Sequence, residues 1–260
     1  MIGLDFPLRK VKDPYEQPKE FRAKIGKNLK WAGQTAVLHQ KLNVSSQLLI
    51  PLQFYTLENL KRLLDGLKGV PFDGVCMPLR HQTPRLTSEF LLEIHRRGIK
   101  VVHLLGSSSF RNITLAAWFA THCFDSVSFD SASWRLIAER GMGYLDPLDL
   151  HCHKLTINSP CTPVSNCICQ ICRHLSLVDI LKTLSVDHTL GVKHIRSHNY
   201  YATGSVAQTL LDRTKFPRSL VKYLQSLPIR KGYPELIETI KWLDAQFLSA
   251  PLPLPVLKAA

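Results

Sequence analysis

Residues 100–130 read KVVHLLGSSSFRNITLAAWFATHCFDSVSFD. An apolar run over 100–105 stops at a glycine, an amphipathic stretch follows over 110–121, and a second short run over 126–129 ends on Asp130. Runs this short read as buried strands, and the segment between them has helical length and spacing. Two strands joined by so long a crossover pair in parallel, because a hairpin would need only a few connecting residues.

The same alternation extends in both directions. Residues 48–53 (LLIPLQ) and 72–77 (FDGVCM) are further strand candidates, and Ile2 to Pro7 (IGLDFP) is a short run that ends in proline. Helices are expected over 19–41, with Phe21, Ile25, Leu29 and Ala32 on one stripe, over 56–68, over 86–97 and over 132–140. The second of these opens on a Thr-x-x-Asn start beside a Leu57/Leu60/Leu63/Leu64 stripe, and Gly98 follows the third in the stop position. Five strands alternating with helices predict a parallel α/β sheet or barrel. The rhythm breaks after residue 145, where the cysteines cluster. We therefore expect an α/β unit over 1–145, a separate subdomain over 146–205, and basic C-terminal helices with a proline-rich tail (PLPLPVL, 251–257) over 206–260. Parallel strands present functional groups at their C-terminal ends, which singles out Asp5, Gln53, the residues 77–80 and 105–108, and Asp130.

With 45% apolar and 20% charged residues, a 260-residue chain can bury a substantial core, which excludes a disordered class. No run approaches the eighteen or so apolar residues that would span a bilayer, and MIGLDFPLRK lacks the layout of a signal peptide. A cytoplasmic protein without a membrane partner is expected, with reduced thiols. The net charge of +13 is uneven: residues 213–231 carry six basic and no acidic side chains. That imbalance predicts a polyanionic partner, since lysine and arginine neutralise phosphates and release counterions.

Seven cysteines, three of them within six residues, fit metal ligation better than a disulfide framework. Cys167, Cys169 and Cys172 are spaced C-x-C-x-x-C, a turn that lets three thiolates converge. The fourth ligand is open among His174, His188, His194 and His198, with Cys161 and Cys152 behind them. Four protein ligands leave no open coordination position, so the expected Zn2+ is structural rather than catalytic. A redox reading is weaker because no thioredoxin-like strand precedes the motif. Trp31, Trp118, Cys76 and Cys123 read as core residues, His151 and His153 as part of a loop entering the metal subdomain, and Arg80 and Arg85 as candidate phosphate contacts.

C-x-C-x-x-C followed after 25 residues by His198-Asn199 resembles the zinc signature of the tRNA-guanine transglycosylase superfamily. The resemblance selects Cys167, Cys169, Cys172 and His198 as ligands, and it extends along most of the chain. MIGLDFP resembles the strand whose aspartate recognises a purine-like base, here Asp5, and LLIPLQ the strand ending in a base-contacting glutamine, here Gln53. FDGVCMP resembles the family's F-D-G strand, with Pro78 and Leu79 in place of a glycine pair. HLLGSS resembles the turn before the nucleophile strand. The resemblance implies a TIM-type (β/α) barrel with a zinc-binding subdomain and an aspartate nucleophile. Asp125 and Asp130 are both candidates; FDSASW and its position at the end of VSF favour Asp130.

The L-D-x-P-L-R start, the missing glycine pair and the S-x-S-W after Asp130 are most similar to the branch that places 7-deazaguanine bases in DNA, with tRNA as the alternative substrate. Family barrels have eight strands, and this chain matches the last five, so the first three are missing, together with the D-S-G motif that normally carries a general base. A second chain supplying those strands, a start further upstream, or a non-catalytic nucleic-acid-binding remnant would each account for this.

Overall fold

Four short strands pair in parallel and in chain order: β1 (Leu49–Pro51), β2 (Gly74–Pro78), β3 (Val101–Leu105) and β4 (Ser126–Phe129). The structure, a computed structural model, describes residues 2–3, 5, 7–8, 16–79, 82–106, 109–130, 132–141, 143–155, 167–216 and 218–248. Helix α1 (Gln17–Lys41) precedes the sheet, and α2 (Leu57–Gly66), α3 (Pro84–Arg96) and α4 (Phe110–His122) form the crossovers. Consecutive crossovers of one hand lay their helices side by side on one face of a sheet. Accordingly α1 packs on α2, α2 on α3 and α3 on α4.

Strand alternation divides the sheet into two faces. Val75 pairs with Val102 and Val102 with Val127 across the sheet. With Ile50, Met77 and Leu104 they belong to the main core beneath the helices, where Leu60, Leu63, Phe90, Ile94 and Ile113 are buried. The other face carries Cys76, His103 and Ser128, paired in one row. Gly74 is required where β2 meets its neighbour: a Cβ there would fall 2.5 Å from the Val101 carbonyl oxygen. Asp73, next to it, accepts a hydrogen bond from Leu48 N–H at 2.6 Å and fixes the start of β1.

Local signals place the helices. Thr56, Thr83 and Ser109 cap α2, α3 and α4 by accepting from the backbone N–H three residues on. Gly98 closes α3 with φ +76°. The fifth expected strand, Ile2 to Pro7, is reduced among the described residues to a parallel bridge from Ile2 to Leu49, with Gly3 N–H donating to Leu49 O at 2.9 Å. The sheet is open among those residues: β4 pairs with β3 alone.

Beyond β4 lie α5 (Ser133–Gly141), β5 (Gly143–Leu145), β6 (Cys152–Lys154), α6 (Leu177–Val186), α7 (His188–Thr214), α8 (Ser219–Ser226) and α9 (Tyr233–Leu248). His153, expected in a loop, lies on β6, which pairs antiparallel with β5. A second, smaller core gathers Ala138, Tyr144, Leu155, Ile180, Leu184 and Ile195. Helix α7 serves both cores, with Ile195 in the small one and Val206 and Leu210 in the main one, and it runs unbroken through residue 205. Gly191 lets α6 and α7 touch, since a Cβ there would lie 2.8 Å from Leu184 Cα.

Trp118 is buried as expected and donates its Nε1–H to Asp244 at 2.8 Å; Trp31 is half-buried on α1. Arg85 lies over the Trp242 ring and pairs with Glu89 at 3.1 Å, so both of these contacts engage its guanidinium. Arg80, Cys161 and the tail 251–257 lie outside the described residues. No described helix is long and apolar enough to cross a membrane.

Candidate functional site

The candidate metal centre is assembled from a turn, a strand and a helix. Cys167, Cys169 and Cys172 approach the third turn of α7, where His198 is fully buried. Cys172 N–H points at Cys169 Sγ (3.3 Å), which holds the turn in a conformation that aims its sulfurs inward. His198 Nε2 lies 2.7 Å from the Leu145 carbonyl oxygen and donates to it, which leaves the Nδ1 lone pair facing the three sulfurs. Those sulfurs stand 3.5, 3.5 and 3.3 Å from Nδ1. A tetrahedral ion bound at about 2.3 Å to sulfur and about 2.0–2.1 Å to nitrogen separates its S and N ligands by roughly 3.5 Å. The geometry therefore fits a four-coordinate ion, and the four residues form a cluster that can hold a metal.

The residues around the cluster orient it. Tyr144 stacks on the His198 ring, with centroids 3.6 Å apart and planes 12° apart, and its hydroxyl reaches Cys172 Sγ at 2.8 Å. Asn199, also fully buried, accepts from Leu145 N–H at 2.9 Å and donates to Gly143 O at 2.9 Å and Trp134 O at 3.1 Å. It thus locks β5, which supplies the carbonyl that orients His198. Burial pushes the His198 pKa down to about 4, which keeps the imidazole neutral as a ligand must be. Burial pushes the Cys167 and Cys172 thiols up, so ionising them in this site calls for a neighbouring cation. His174, His188 and His194 are not part of the cluster, and Cys152 is exposed on β6.

The second constellation occupies the C-terminal end of the parallel sheet. Gln53, just beyond β1, donates through Nε2 to the Asp5 carboxylate and accepts from Leu8 N–H at 3.3 Å. Asp130, just beyond β4, is exposed and accepts from Gly106 N–H at 2.6 Å. His103 Nδ1 is 2.8 Å from Ser128 Oγ, and its Nε2 is 3.9 Å from the Asp130 carboxylate. Cys76 lies on the same face. Its thiol is pushed up to about 12, by burial first and then by the negative charges of Asp5 and Asp130. Asp5, Gln53 and Asp130 are thus brought to one end of the sheet.

Asp125 is not. It precedes β4, where its N–H donates to Lys100 O at 2.9 Å. Five residues of extended chain, roughly 16 Å, separate it from Asp130. His103 and Ser128 were missed in the sequence. A polar residue at the centre of the apolar run KVVHLL was the available signal for the first, and Ser128 had none beyond alternation with Val127 and Phe129. Tyr144 was equally silent, as one aromatic residue in a short strand.

No protein-family model and no curated protein matches the sequence.

Proposed function

We propose that this chain is the nucleophile-bearing part of a base-exchange glycosyltransferase that replaces guanine in DNA by a 7-deazaguanine base. The observation that carries the reading is the placement of Asp130 and the Asp5–Gln53 pair at the same end of consecutive parallel strands. A Cys3His cluster with the spacing of the resembled family accompanies them. The Asp130 carboxylate attacks C1′ of the target deoxynucleoside, and the glycosidic electron pair leaves with guanine, which takes up a proton. The incoming base then loses its own N9 proton and attacks C1′, displacing the carboxylate and restoring the glycosidic bond. Asp5 and Gln53 offer an acceptor-rich edge suited to the amine and ring N–H groups of a guanine-like base. The target nucleotide has to leave the duplex to reach them.

In this reading the metal is Zn2+, held by Cys167, Cys169, Cys172 and His198. It braces the small core and takes no part in the reaction, since its four ligands are all from the protein. The consecutive parallel order of β1 to β4 suits one wall of a (β/α) barrel, whose remaining strands would come from a second chain or from a segment upstream of residue 1. The D-S-G motif, absent from residues 1–260, would come with those strands; without them a second reading stands, a nucleic-acid-binding protein without turnover. tRNA is the alternative substrate.

The test is incorporation of labelled 7-deazaguanine into duplex DNA and, separately, tRNA, by the chain with and without products of neighbouring genes. The expected result is incorporation into DNA that Asp130→Ala abolishes and Asp125→Ala preserves. The opposite pattern of the two variants overturns the assignment of the nucleophile. Binding of DNA without incorporation under any combination overturns the enzyme reading.

A further inference from the structure

Beside the metal cluster two cavities run along one side of α7. The first, about 820 Å3, lies between the metal-binding turn and the N-terminal half of α7, and the second, about 670 Å3, continues along the helix to Asp212, with Phe129 of β4 in its wall. They share Trp134, Tyr200 and Tyr201, so they adjoin at these rings as two halves of a groove along the helix. Tyr200 is 66% exposed, an unusual position for a large aromatic side chain. It meets the Trp134 ring edge-on at 5.4 Å. Lys193 and Arg196 occupy the same flank of α7, three and four residues apart from one another and from Tyr200, so helical geometry aligns them with it along about 10 Å.

The charge of the groove is cationic. Among the described residues, Glu139 and Asp212 are the carboxylates that line it. Arg135 Nε pairs with Glu139 at 2.9 Å and Arg196 at 3.3 Å. Lys215 pairs with Asp212 at 2.7 Å. Both acids are therefore neutralised from within the chain, and Lys193 is exposed at the rim. Aromatic faces interleaved with cations form a track for a single-stranded nucleic acid, in which bases stack on the rings and phosphates meet the cations. An apolar protein partner would not call for the lysine and arginine along the rim. Phe129, the residue before Asp130, lies in the wall of the second cavity, which brings a strand held there close to the proposed reaction site.

We infer that the groove lined by Trp134, Tyr200, Tyr201, Lys193 and Arg196 holds single-stranded DNA flanking the target nucleotide. This rests on the reading above for its choice of DNA, but not for its chemistry. The metal-binding turn forms one wall of the first cavity through Cys169, Gln170 and Ile171, which gives the brace a functional consequence.

The test is the anisotropy of a labelled 20-nucleotide oligothymidine, titrated with the full chain across a salt series. Tyr200→Ala should weaken binding by roughly tenfold, the loss of one stacked base, with the salt slope unchanged. Lys193→Gln/Arg196→Gln should lower the slope of log K against log salt by about 1.4, two single-strand phosphate contacts. Lys61→Gln, on α2 away from the groove, is the charge control. Parental affinity in Tyr200→Ala and the double variant, or equal weakening by Lys61→Gln, overturns the inference. So does tighter binding of the matching RNA, or a dimer that Tyr200→Ala dissociates without changing DNA affinity. Base exchange undiminished in both groove variants refutes the groove alone, whereas groove binding without any base exchange refutes the enzyme reading alone.

Discussion

Asn199→Ala should be among the most damaging substitutions outside the metal ligands. The side chain is fully buried and makes three hydrogen bonds, to Leu145 N–H, Gly143 O and Trp134 O. Alanine leaves the Leu145 N–H without its acceptor, at the upper end of the ~1–3 kcal/mol cost of a buried unsatisfied group. The two carbonyls each keep a second lone pair and fall near the lower end. The sum is roughly 5 kcal/mol, a large part of the stability of a chain this size. Asn199→Asp gives no rescue, because it keeps the acceptor for Leu145 but sets a carboxylate against two carbonyls. Freeing β5 also loosens the Leu145 carbonyl from His198, and loss of such an orienting contact typically costs 10–100-fold in metal affinity. Urea melts followed by tryptophan fluorescence, with Trp134 close to the small core, measure the first effect. Competition with a chromophoric zinc chelator measures the second. A loss below about 1 kcal/mol together with unchanged metal affinity would refute the clamp.

Two glycines in long helices should respond in opposite directions. Gly191→Ala forces a Cβ to 2.8 Å from Leu184 Cα and should destabilise by about 1–3 kcal/mol, whereas nothing lies within 4 Å of a Cβ at Gly26 in α1, so Gly26→Ala should stabilise by about 0.5–1 kcal/mol. Thermal melts of the pair decide it, and equal responses would contradict the α6–α7 contact. Cys76 and Cys123 are both buried, with thiols pushed up to about 12 from 9, so the unfolded chain loses their protons first as the pH rises. Their contribution is whole below pH 9 and is lost between about 9 and 12, up to ~4 kcal/mol each. Alkylation at pH 8 followed by peptide mapping should modify exposed Cys152 well before either of them.

The strand and helix alternation was legible because each element carries its own signal. Thr56 caps α2 in the Thr-x-x-Asn start, and Val102 and Leu104 alternate with His103 along β3. The metal ligands were legible as a spacing, although the resemblance rather than chemistry chose His198 from four histidines; its placement depends on Leu145, 53 residues away in sequence. Helix α7 was harder to read. Its buried positions, Ile195, His198, Ala202, Val206 and Leu210, keep a helical interval, but a polar ligand interrupts the apolar stripe and two separate cores draw on different ends. The β5–β6 pair was invisible because each strand has only three residues, too few to show alternation. Charge alone also overstated the basic run 213–231: Arg230 pairs with buried Asp149 at 2.9 Å and Arg213 faces Tyr223, so part of that run serves the fold.

In the proposed reaction Asp130, at the C-terminal end of β4, forms a covalent bond to the sugar of a DNA nucleotide. The direct measurement is intact-mass and peptide-level mass spectrometry of the chain, with any partner it requires. The protein is mixed with guanine-containing DNA and quenched with denaturant before the second base can attack. The expected result is a denaturation-resistant protein–DNA adduct whose modified peptide carries the sugar on Asp130, absent in Asp130→Ala. An adduct on Asp125, or base exchange with no adduct on either aspartate, would contradict it.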